Sequence, residues 1–137
     1  MRNGYRGLLR GDFRPLTMAD VGSILRDGGT LLGSARCLEM HQREARDVAR
    51  RHLRDASISG LIVIGGNGSL AGAMALTDPC EAAGDLAVVG IPASIDNDIG
   101  LTGMAIGVDT AMNTIVEACD KISDLSLIHI SEPTRPY

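Results

Sequence analysis

Two short apolar runs are the clearest secondary-structure signal in the chain. Residues 61–64 (Leu-Ile-Val-Ile) and 86–89 (Leu-Ala-Val-Val) are apolar at every position, which is typical of strands buried on both faces of a parallel sheet. A glycine-containing loop follows each run, and a stretch with helical periodicity follows each loop. Strands that alternate with helices in this way predict an α/β fold with right-handed crossovers. Two strands form only a partial sheet.

Helical periodicity predicts four helices around these runs. The first begins with a capping box of Thr17 and Asp20 and is expected to end near Arg26. The others span residues 42–56, 70–76 and 110–122. Residues 1–13 are rich in glycine and arginine, show no clear period and predict a loop. Residues 125–130 alternate like a strand before a polar tail with two prolines.

Composition places the chain among globular proteins. Of its 137 residues, 45% are hydrophobic and 22% charged, and without tryptophan the core must be built from aliphatic residues and methionine. A net charge of −4 and a pI near 5.2 argue against a nucleic-acid or membrane-surface binder. Five arginines cluster in the predicted helix 42–56, and we interpret them as its solvated face: Arg43, Arg46, Arg50, Arg51 and Arg54.

The cysteines Cys37, Cys80 and Cys119 are widely spaced and form no Cys-x-x-Cys pair. Their number and spacing predict neither a disulfide scaffold nor a zinc site and fit a reducing compartment. No stretch approaches the roughly 20 apolar residues that a membrane helix needs, and the N-terminus lacks the apolar region of a signal peptide. We therefore expect a soluble, cytoplasmic protein that binds neither nucleic acid nor membranes.

The first loop, Gly65-Gly66-Asn67-Gly68-Ser69, lies between a predicted strand and a predicted helix. Backbone N–H groups and the positive end of a helix dipole bind anions at such a junction, and glycine lets a phosphate approach closely. The loop is neither a Walker A motif nor a GxGxxG fingerprint. It predicts a phosphate cradle, with a plain strand-to-helix turn as the alternative.

The second loop follows the second strand and reads Gly-Ile-Pro-Ala-Ser-Ile-Asp-Asn-Asp over residues 90–98. Ligands of open α/β sheets bind beyond the carboxyl ends of the strands, so Asp96 and Asp98 are expected at the mouth of that crevice. Two carboxylates this close repel each other unless a cation, a hydrogen-bond network or a shared proton compensates. The alternative is an Asx-rich turn, in which Asp96 and Asn97 bond their own backbone.

Five segments, taken together and in order, resemble the ATP-binding half of the 6-phosphofructokinase family. They cover residues 3–7, 28–36, 64–69, 90–98 and 106–113. The last reads Ile-Gly-Val-Asp-Thr-Ala-Met-Asn and is similar to the family's IGFDTAxN. The resemblance runs from about Asn3 to Asp124, and it implies a partial three-layer α/β/α sandwich with a parallel, Rossmann-like sheet.

The resemblance implies phosphoryl transfer from ATP to the 1-hydroxyl of fructose 6-phosphate, with Mg²⁺, giving fructose 1,6-bisphosphate in glycolysis. Asp96 falls on the catalytic base and Asp98 on a second carboxylate that helps to hold magnesium. Ser94 takes the position of a threonine that contacts the moving phosphoryl group, so Ser94, Asp96 and Asp98 would meet the substrate. Arg36 matches an arginine that neutralises phosphate charge, and Tyr5 a residue near the nucleotide base.

The remaining nucleotide contacts implied by the resemblance lie in the first loop and the helix after it. They are Gly65, Gly66, Asn67, Gly68, Ser69 and Gly72. The family usually has aspartate, a magnesium ligand, where this chain has Asn67; an amide oxygen can coordinate, but without charge. Gly68 and Ala93 replace an aspartate and a lysine that are typical of pyrophosphate-using relatives, so both favour ATP as the donor.

The resemblance also divides the chain. Residues 1–124 would form part of the nucleotide domain, whereas 125–137 match nothing in the family and are expected to be a foreign or disordered tail. The first strand of the family would precede Met1 and the sugar-phosphate half would follow Asp124. We therefore expect the chain alone to be inactive and its full-length parent to be a homo-oligomer, a dimer or a tetramer.

Three alternatives stay open at this point. One is a pyrophosphate-dependent phosphofructokinase. Another is a lipid or NAD kinase, whose nucleotide domain has a related glycine loop but lacks the second motif at this spacing. The third is a non-catalytic remnant that binds nucleotides or anions.

Overall fold

The computed structural model describes residues 1–80 and 86–131, with side chains to residue 125. Two strands, β1 (Gly60–Gly65) and β2 (Ala87–Pro92), are joined through a crossover helix. The helices within these residues are α1 (Tyr5–Arg10), α2 (Met18–Val21), α3 (Arg43–Asp55), α4 (Asn67–Leu76) and α5 (Val108–Ser131). Single 3₁₀ turns occur at Ile24–Arg26 and Leu38–His41.

The two strands pair in parallel, with a register that runs from Gly60 opposite Ala87 to Gly65 opposite Pro92. Helix α4 connects them and packs on both. A parallel pair needs such a crossover, since a tight turn reverses the chain direction. The predicted α/β fold with a partial parallel sheet is confirmed.

The core lies on one side of this sheet, where α1, α3 and α4 pack. Leu61 and Val63 point into it and are buried, whereas Ile62 and Ile64, on the opposite face of β1, are 65% and 58% exposed. Val89 on β2 is also 58% exposed. The prediction that these strands are buried on both faces is therefore wrong for the described residues, because their helices cover one face only.

The remaining core residues come from the helices on that side of the sheet. They are Leu8, Met40, Ala49, Leu53, Ala73 and Leu76.

Helix α1 lies where the sequence predicted a loop. Glycine disfavours a helix interior, but Leu8 is completely buried against α3. The His52 ring on α3 also hydrogen-bonds the Leu8 carbonyl at 3.0 Å. Gly11 ends the helix in a left-handed conformation, and its amide donates to the Leu8 carbonyl at 3.1 Å. Tertiary packing thus stabilises a helix that local propensity does not predict.

The capping box of Thr17 and Asp20 is confirmed: the Thr17 amide donates to the Asp20 carboxylate at 2.9 Å. The hydrogen bonds from Thr17 lower the pKa of Asp20. However, α2 ends at Val21, and the predicted continuation to Arg26 is a separate 3₁₀ turn. Gly22 caps α2 at the break.

Helix α5 is longer than predicted. It continues through Ile122 to Ser131, so the predicted end and the strand at 125–130 are wrong. No glycine or proline interrupts residues 108–131, and each further residue adds a hydrogen bond to a helix that has already nucleated. The proposed division at residue 124 stays a prediction, and its residues 132–137 lie outside the described part of the chain.

The predicted apolar stripe of α5 is largely exposed. Ile115 and Ile122 are 62% and 66% exposed. Among residues 1–80 and 86–131, no helix combines the length and the apolarity that a membrane span requires.

The interpretation of the five clustered arginines as a solvated face is wrong for Arg50, which is buried, and Arg46 is only partly exposed. The side chain of Arg50 is 8% exposed, and its guanidinium donates to the carbonyls of Leu76 at 3.1 Å and Ala75 at 2.8 Å. It also pairs with Asp47 at 2.8 Å. The last carbonyls of a helix lack hydrogen-bond donors within the helix. Arg50 of α3 supplies such donors to the C-terminus of α4.

We predict that Arg50→Met lowers the free energy of unfolding by about 2 kcal/mol, because two carbonyls at the end of α4, one of them buried, lose a charged donor. Urea unfolding followed by circular dichroism measures it. Arg51→Met is the matched control, since Arg51 is exposed on the same helix; its effect should stay within about 0.5 kcal/mol. Equal effects of the two substitutions would contradict the capping role of Arg50.

Candidate active site

The two predicted loops meet at one edge of the sheet, because β1 and β2 end in register. The Ala93 amide, just after β2, donates to the Gly65 carbonyl at the end of β1 at 2.9 Å. Gly66 lies against Ser94: a Cβ built on Gly66 would be 3.7 Å from the Ser94 Cβ, an ordinary contact distance. The glycine loop and the acidic turn, defined as Ser94–Asp98, are therefore neighbours.

The glycine loop leads directly into α4, with Gly66 as its N-cap. The amides of Ser69 and Leu70 donate to the Gly66 carbonyl at 3.0 and 3.1 Å, which closes the first turn. A side chain at Gly65 would lie 2.6 Å from the Ser69 hydroxyl, so this position requires glycine. At Gly68, no atom of the described residues comes within 4 Å of an added Cβ. The loop thus presents a helix N-terminus with open space beside it, an arrangement suited to phosphate.

Tyr5 braces this loop from α1. Its hydroxyl donates to the Ser69 carbonyl at 2.6 Å, and its ring packs on Gly72, where an added Cβ would lie 2.9 Å from the ring. Burial raises the pKa of Tyr5 to about 12. A phenol is protonated at neutral pH, and burial strengthens this preference. Tyr5 and Gly72, both predicted at the nucleotide, contact each other beside the loop.

The acidic turn is held by hydrogen bonds within it and to the glycine loop. The Asp96 amide donates to the Ser94 hydroxyl at 3.3 Å, and the Asn97 amide donates to the Ser94 carbonyl at 3.3 Å. The Asp98 carboxylate accepts a hydrogen bond from the Asn67 amide group at 2.8 Å, across the two loops. Asp96 and Asp98 are both exposed. A hydrogen-bonded turn is therefore present, but Ser94 supplies its acceptors instead of the Asp96 and Asn97 side chains of the alternative interpretation. Both carboxylates lie at the surface.

Arg36 lies on another segment. It is exposed, and its carbonyl accepts a hydrogen bond from the Arg6 guanidinium at 3.1 Å. The Asn3 amide donates to the Leu32 carbonyl at 2.8 Å, which also fastens this segment to the start of α1. The structure brings Tyr5 and the two loops together, and it attaches the segment that carries Arg36 to the helix of Tyr5.

Both loops carry side-chain oxygens of the kind that magnesium binds in proteins. Among residues 1–80 and 86–131, no group of three histidine, cysteine, aspartate or glutamate side chains could hold a metal. Asn67 and Asp98 are nevertheless in contact, and a half-turn of the Asn67 amide would present two oxygens side by side. Magnesium is commonly held by one or two carboxylates together with substrate phosphates. An ion between Asn67 and Asp98 would meet one negative charge from this pair, that of Asp98, whereas two carboxylates would supply two charges.

Sequence reasoning named Asn97 only as part of an Asx turn that bonds its own backbone. Its backbone is left-handed, with φ of 50°, and its side chain bonds the segment 103–105. The available signal was its residue type, since asparagine tolerates this conformation better than most residues.

The chain belongs to the phosphofructokinase family, whose model matches residues 1–131. It is 48% identical over 129 residues to an ATP-dependent 6-phosphofructokinase of Thermotoga neapolitana, which covers 94% of this chain and 39% of the relative. A Staphylococcus aureus (strain Newman) enzyme of the same name is 46% identical over 127 residues, 93% of this chain and 38% of the relative. The chain thus spans about two fifths of the length of these curated relatives.

Two solved structures share the fold. Phosphofructokinase from Saccharomyces cerevisiae superposes with a TM-score of 0.80 and 36% identity, covering 92% of this chain and 20% of that chain. Pichia pastoris phosphofructokinase in the T-state gives a TM-score of 0.82 and 34% identity, covering 89% and 15%. The family resemblance inferred from the five segments is confirmed.

We predict that Asn67→Asp raises the affinity of the chain for a divalent cation by about tenfold, because it adds a negative ligand beside Asp98. Titration with Mn²⁺, followed by electron paramagnetic resonance, measures it. Asn113→Asp is the matched control, since Asn113 also donates to a carboxylate, that of Asp109 on α5, at 3.3 Å. An equal gain in both variants, or none in Asn67→Asp, would contradict a metal site between the loops.

Proposed function

We propose that the full-length protein carrying this sequence is an ATP-dependent 6-phosphofructokinase, a phosphotransferase of glycolysis. It would transfer the γ-phosphoryl group of ATP to the 1-hydroxyl of fructose 6-phosphate and yield fructose 1,6-bisphosphate and ADP. The observation that carries this proposal is the junction of the glycine loop with the acidic turn. Two hydrogen bonds join them, Ala93 to Gly65 and Asn67 to Asp98.

In this proposal the glycine loop binds the phosphates of ATP through backbone N–H groups at the start of α4. The sugar hydroxyl lies at the acidic turn, where the Asp96 carboxylate takes its proton as the oxygen forms a bond to the γ-phosphorus. The bond between that phosphorus and the bridging oxygen breaks, and ADP leaves. The Ser94 hydroxyl contacts the transferred group, and the Arg36 guanidinium balances its charge.

Magnesium, when bound, would neutralise charge on the phosphates. Asn67 and Asp98 are the side chains proposed to hold it, because they are in contact across the two loops. Their own hydrogen bond already keeps the loops together. Asp98 would therefore be placed near the phosphates before the ion arrives.

ATP is favoured over pyrophosphate as the donor by two observations. The relatives quoted above are named ATP-dependent, and an added Cβ at Gly68 would meet open space, which leaves room for the bulk of a nucleotide. The further proposals are that the full-length protein is cytoplasmic and that it forms a dimer or tetramer.

We predict that Asp96→Asn in the full-length protein lowers kcat by about two to four orders of magnitude, because the general base is lost. Binding of ATP should change little, since the glycine loop is intact. A coupled assay with fructose 6-phosphate and equilibrium nucleotide binding measure the two effects. Near-normal turnover of the variant would return Asp96 to a purely structural turn.

Donor choice is the control within that assay. The unmodified full-length protein is given ATP or pyrophosphate at matched Mg²⁺, and a clear preference for pyrophosphate would overturn the donor assignment. Asp98→Asn, in contrast to Asp96→Asn, should raise the magnesium concentration needed for half-maximal rate.

We also predict that the 137-residue chain alone has no phosphofructokinase activity, because the relatives are about two and a half times longer and the sugar-phosphate contacts are expected in their remaining part. The isolated chain is expected to bind nucleotide without turning over substrate, and a nucleotide-binding measurement beside the coupled assay checks both. Turnover of about 1–100 per second, typical of kinases, would contradict the prediction.

A further inference from the structure

The acidic turn is tied to a second segment by one side chain, that of Asn97. Its Oδ1 accepts a hydrogen bond from the Ala105 amide at 3.0 Å, and its Nδ2 donates to the Gly103 carbonyl at 3.4 Å. Both polar groups of the side chain are thus engaged with the backbone of residues 103–105. Asn97 lies between Asp96 and Asp98 in the chain, so its hydrogen bonds to residues 103–105 restrain the backbone that carries both carboxylates.

The far end of the tie is firmly anchored. Ala105 is 3% exposed, so its amide would lose a partner that water replaces poorly. The next amide, that of Ile106, donates to the Pro92 carbonyl at the end of β2 at 3.0 Å. Asn97 therefore connects the acidic turn back to the strand by a second route, in addition to the chain itself.

The other hydrogen bonds of the turn do not involve residues 103–105. Asp98 is held by Asn67 of the glycine loop, and the Asp96 amide is held by the Ser94 hydroxyl. Without Asn97, the turn would stay attached to the glycine loop but would be free to move away from residues 103–105. Asp96 immediately precedes Asn97 in the chain, so such a movement would shift its carboxylate.

Two explanations for an asparagine at position 97 are its backbone conformation and its side-chain hydrogen bonds, and a glycine substitution separates them. Its φ of 50° is left-handed, a conformation that glycine adopts at no cost and that asparagine tolerates. If asparagine served only this conformation, glycine would replace it fully. If the side-chain bridge matters, glycine would keep the backbone and lose the function.

We propose that Asn97 is a positioning residue, which fixes the Asp96 carboxylate by fastening the acidic turn to residues 103–105. The physical tie stands on the hydrogen bonds described above. Its consequence for catalysis rests on the proposed phosphofructokinase function.

The tie is tested first on the 137-residue chain. Asn97→Gly should speed amide hydrogen exchange at Ala105 by about tenfold or more, because that amide loses its acceptor. Ser57→Gly is the matched control, since Ser57 is another non-glycine residue with a left-handed φ, 55°, and it lies between α3 and β1. Unchanged exchange at Ala105 in Asn97→Gly would overturn the proposal.

The positioning role is tested in the full-length protein. Asn97→Gly should lower kcat about 10- to 100-fold, as expected when a reacting group is misplaced by roughly 1 Å. The KM for ATP and the number of nucleotide sites per chain should stay unchanged, whereas a merely structural role would reduce the number of sites. Asn97→Asp keeps the acceptor for the Ala105 amide and should retain more of the wild-type kcat than Asn97→Gly.

The two experiments fail in different ways. Normal kcat in Asn97→Gly overturns the positioning role. If the unmodified full-length protein does not phosphorylate fructose 6-phosphate, the proposed function is overturned, and the exchange rate of Ala105 alone then decides whether Asn97 ties the turn.

Discussion

Parallel pairing of β1 with β2 places the ends of both strands at the same edge of the sheet, and every feature of the candidate site follows from that register. Gly65 lies opposite Pro92, so the loops that follow them begin as neighbours. The Ala93 to Gly65 hydrogen bond extends the ladder by one residue beyond the strands. A shift of one residue would turn each side chain to the other face of its strand and would separate Asn67 from Asp98.

Much of this arrangement could be predicted from the sequence. The apolar runs, the glycine loop and the periodicity of α3 depend on neighbouring residues, so local patterns were sufficient. Helix α1 and the buried side chain of Arg50 were not predicted, because each depends on a partner that is distant in sequence. Leu8 packs on α3, and Arg50 donates to carbonyls 25 and 26 residues away.

The site was predicted at the level of loops better than at the level of contacts. Spacing indicated that Asp96 and Asp98 follow a strand, but it could not show that Asn67 donates to Asp98 or that Asn97 reaches Ala105. These contacts depend on χ angles and on the path of residues 99–107, which no periodicity specifies. The face of the sheet left exposed at Ile62 and Ile64 was missed for a related reason, since an apolar strand does not reveal how many of its faces the chain itself covers.

The contact of Tyr5 with the first turn of α4 places an intrinsic chromophore beside the glycine loop. The sequence has no tryptophan and two tyrosines, Tyr5 and Tyr137, so its intrinsic ultraviolet emission is tyrosine emission. One of these fluorophores lies at the junction between α1 and the glycine loop, with its hydroxyl bonded to the Ser69 carbonyl. Burial of this phenol raises its pKa to about 12 from the ordinary value of 10.0, and exposure of the ring would let the pKa return toward that ordinary value.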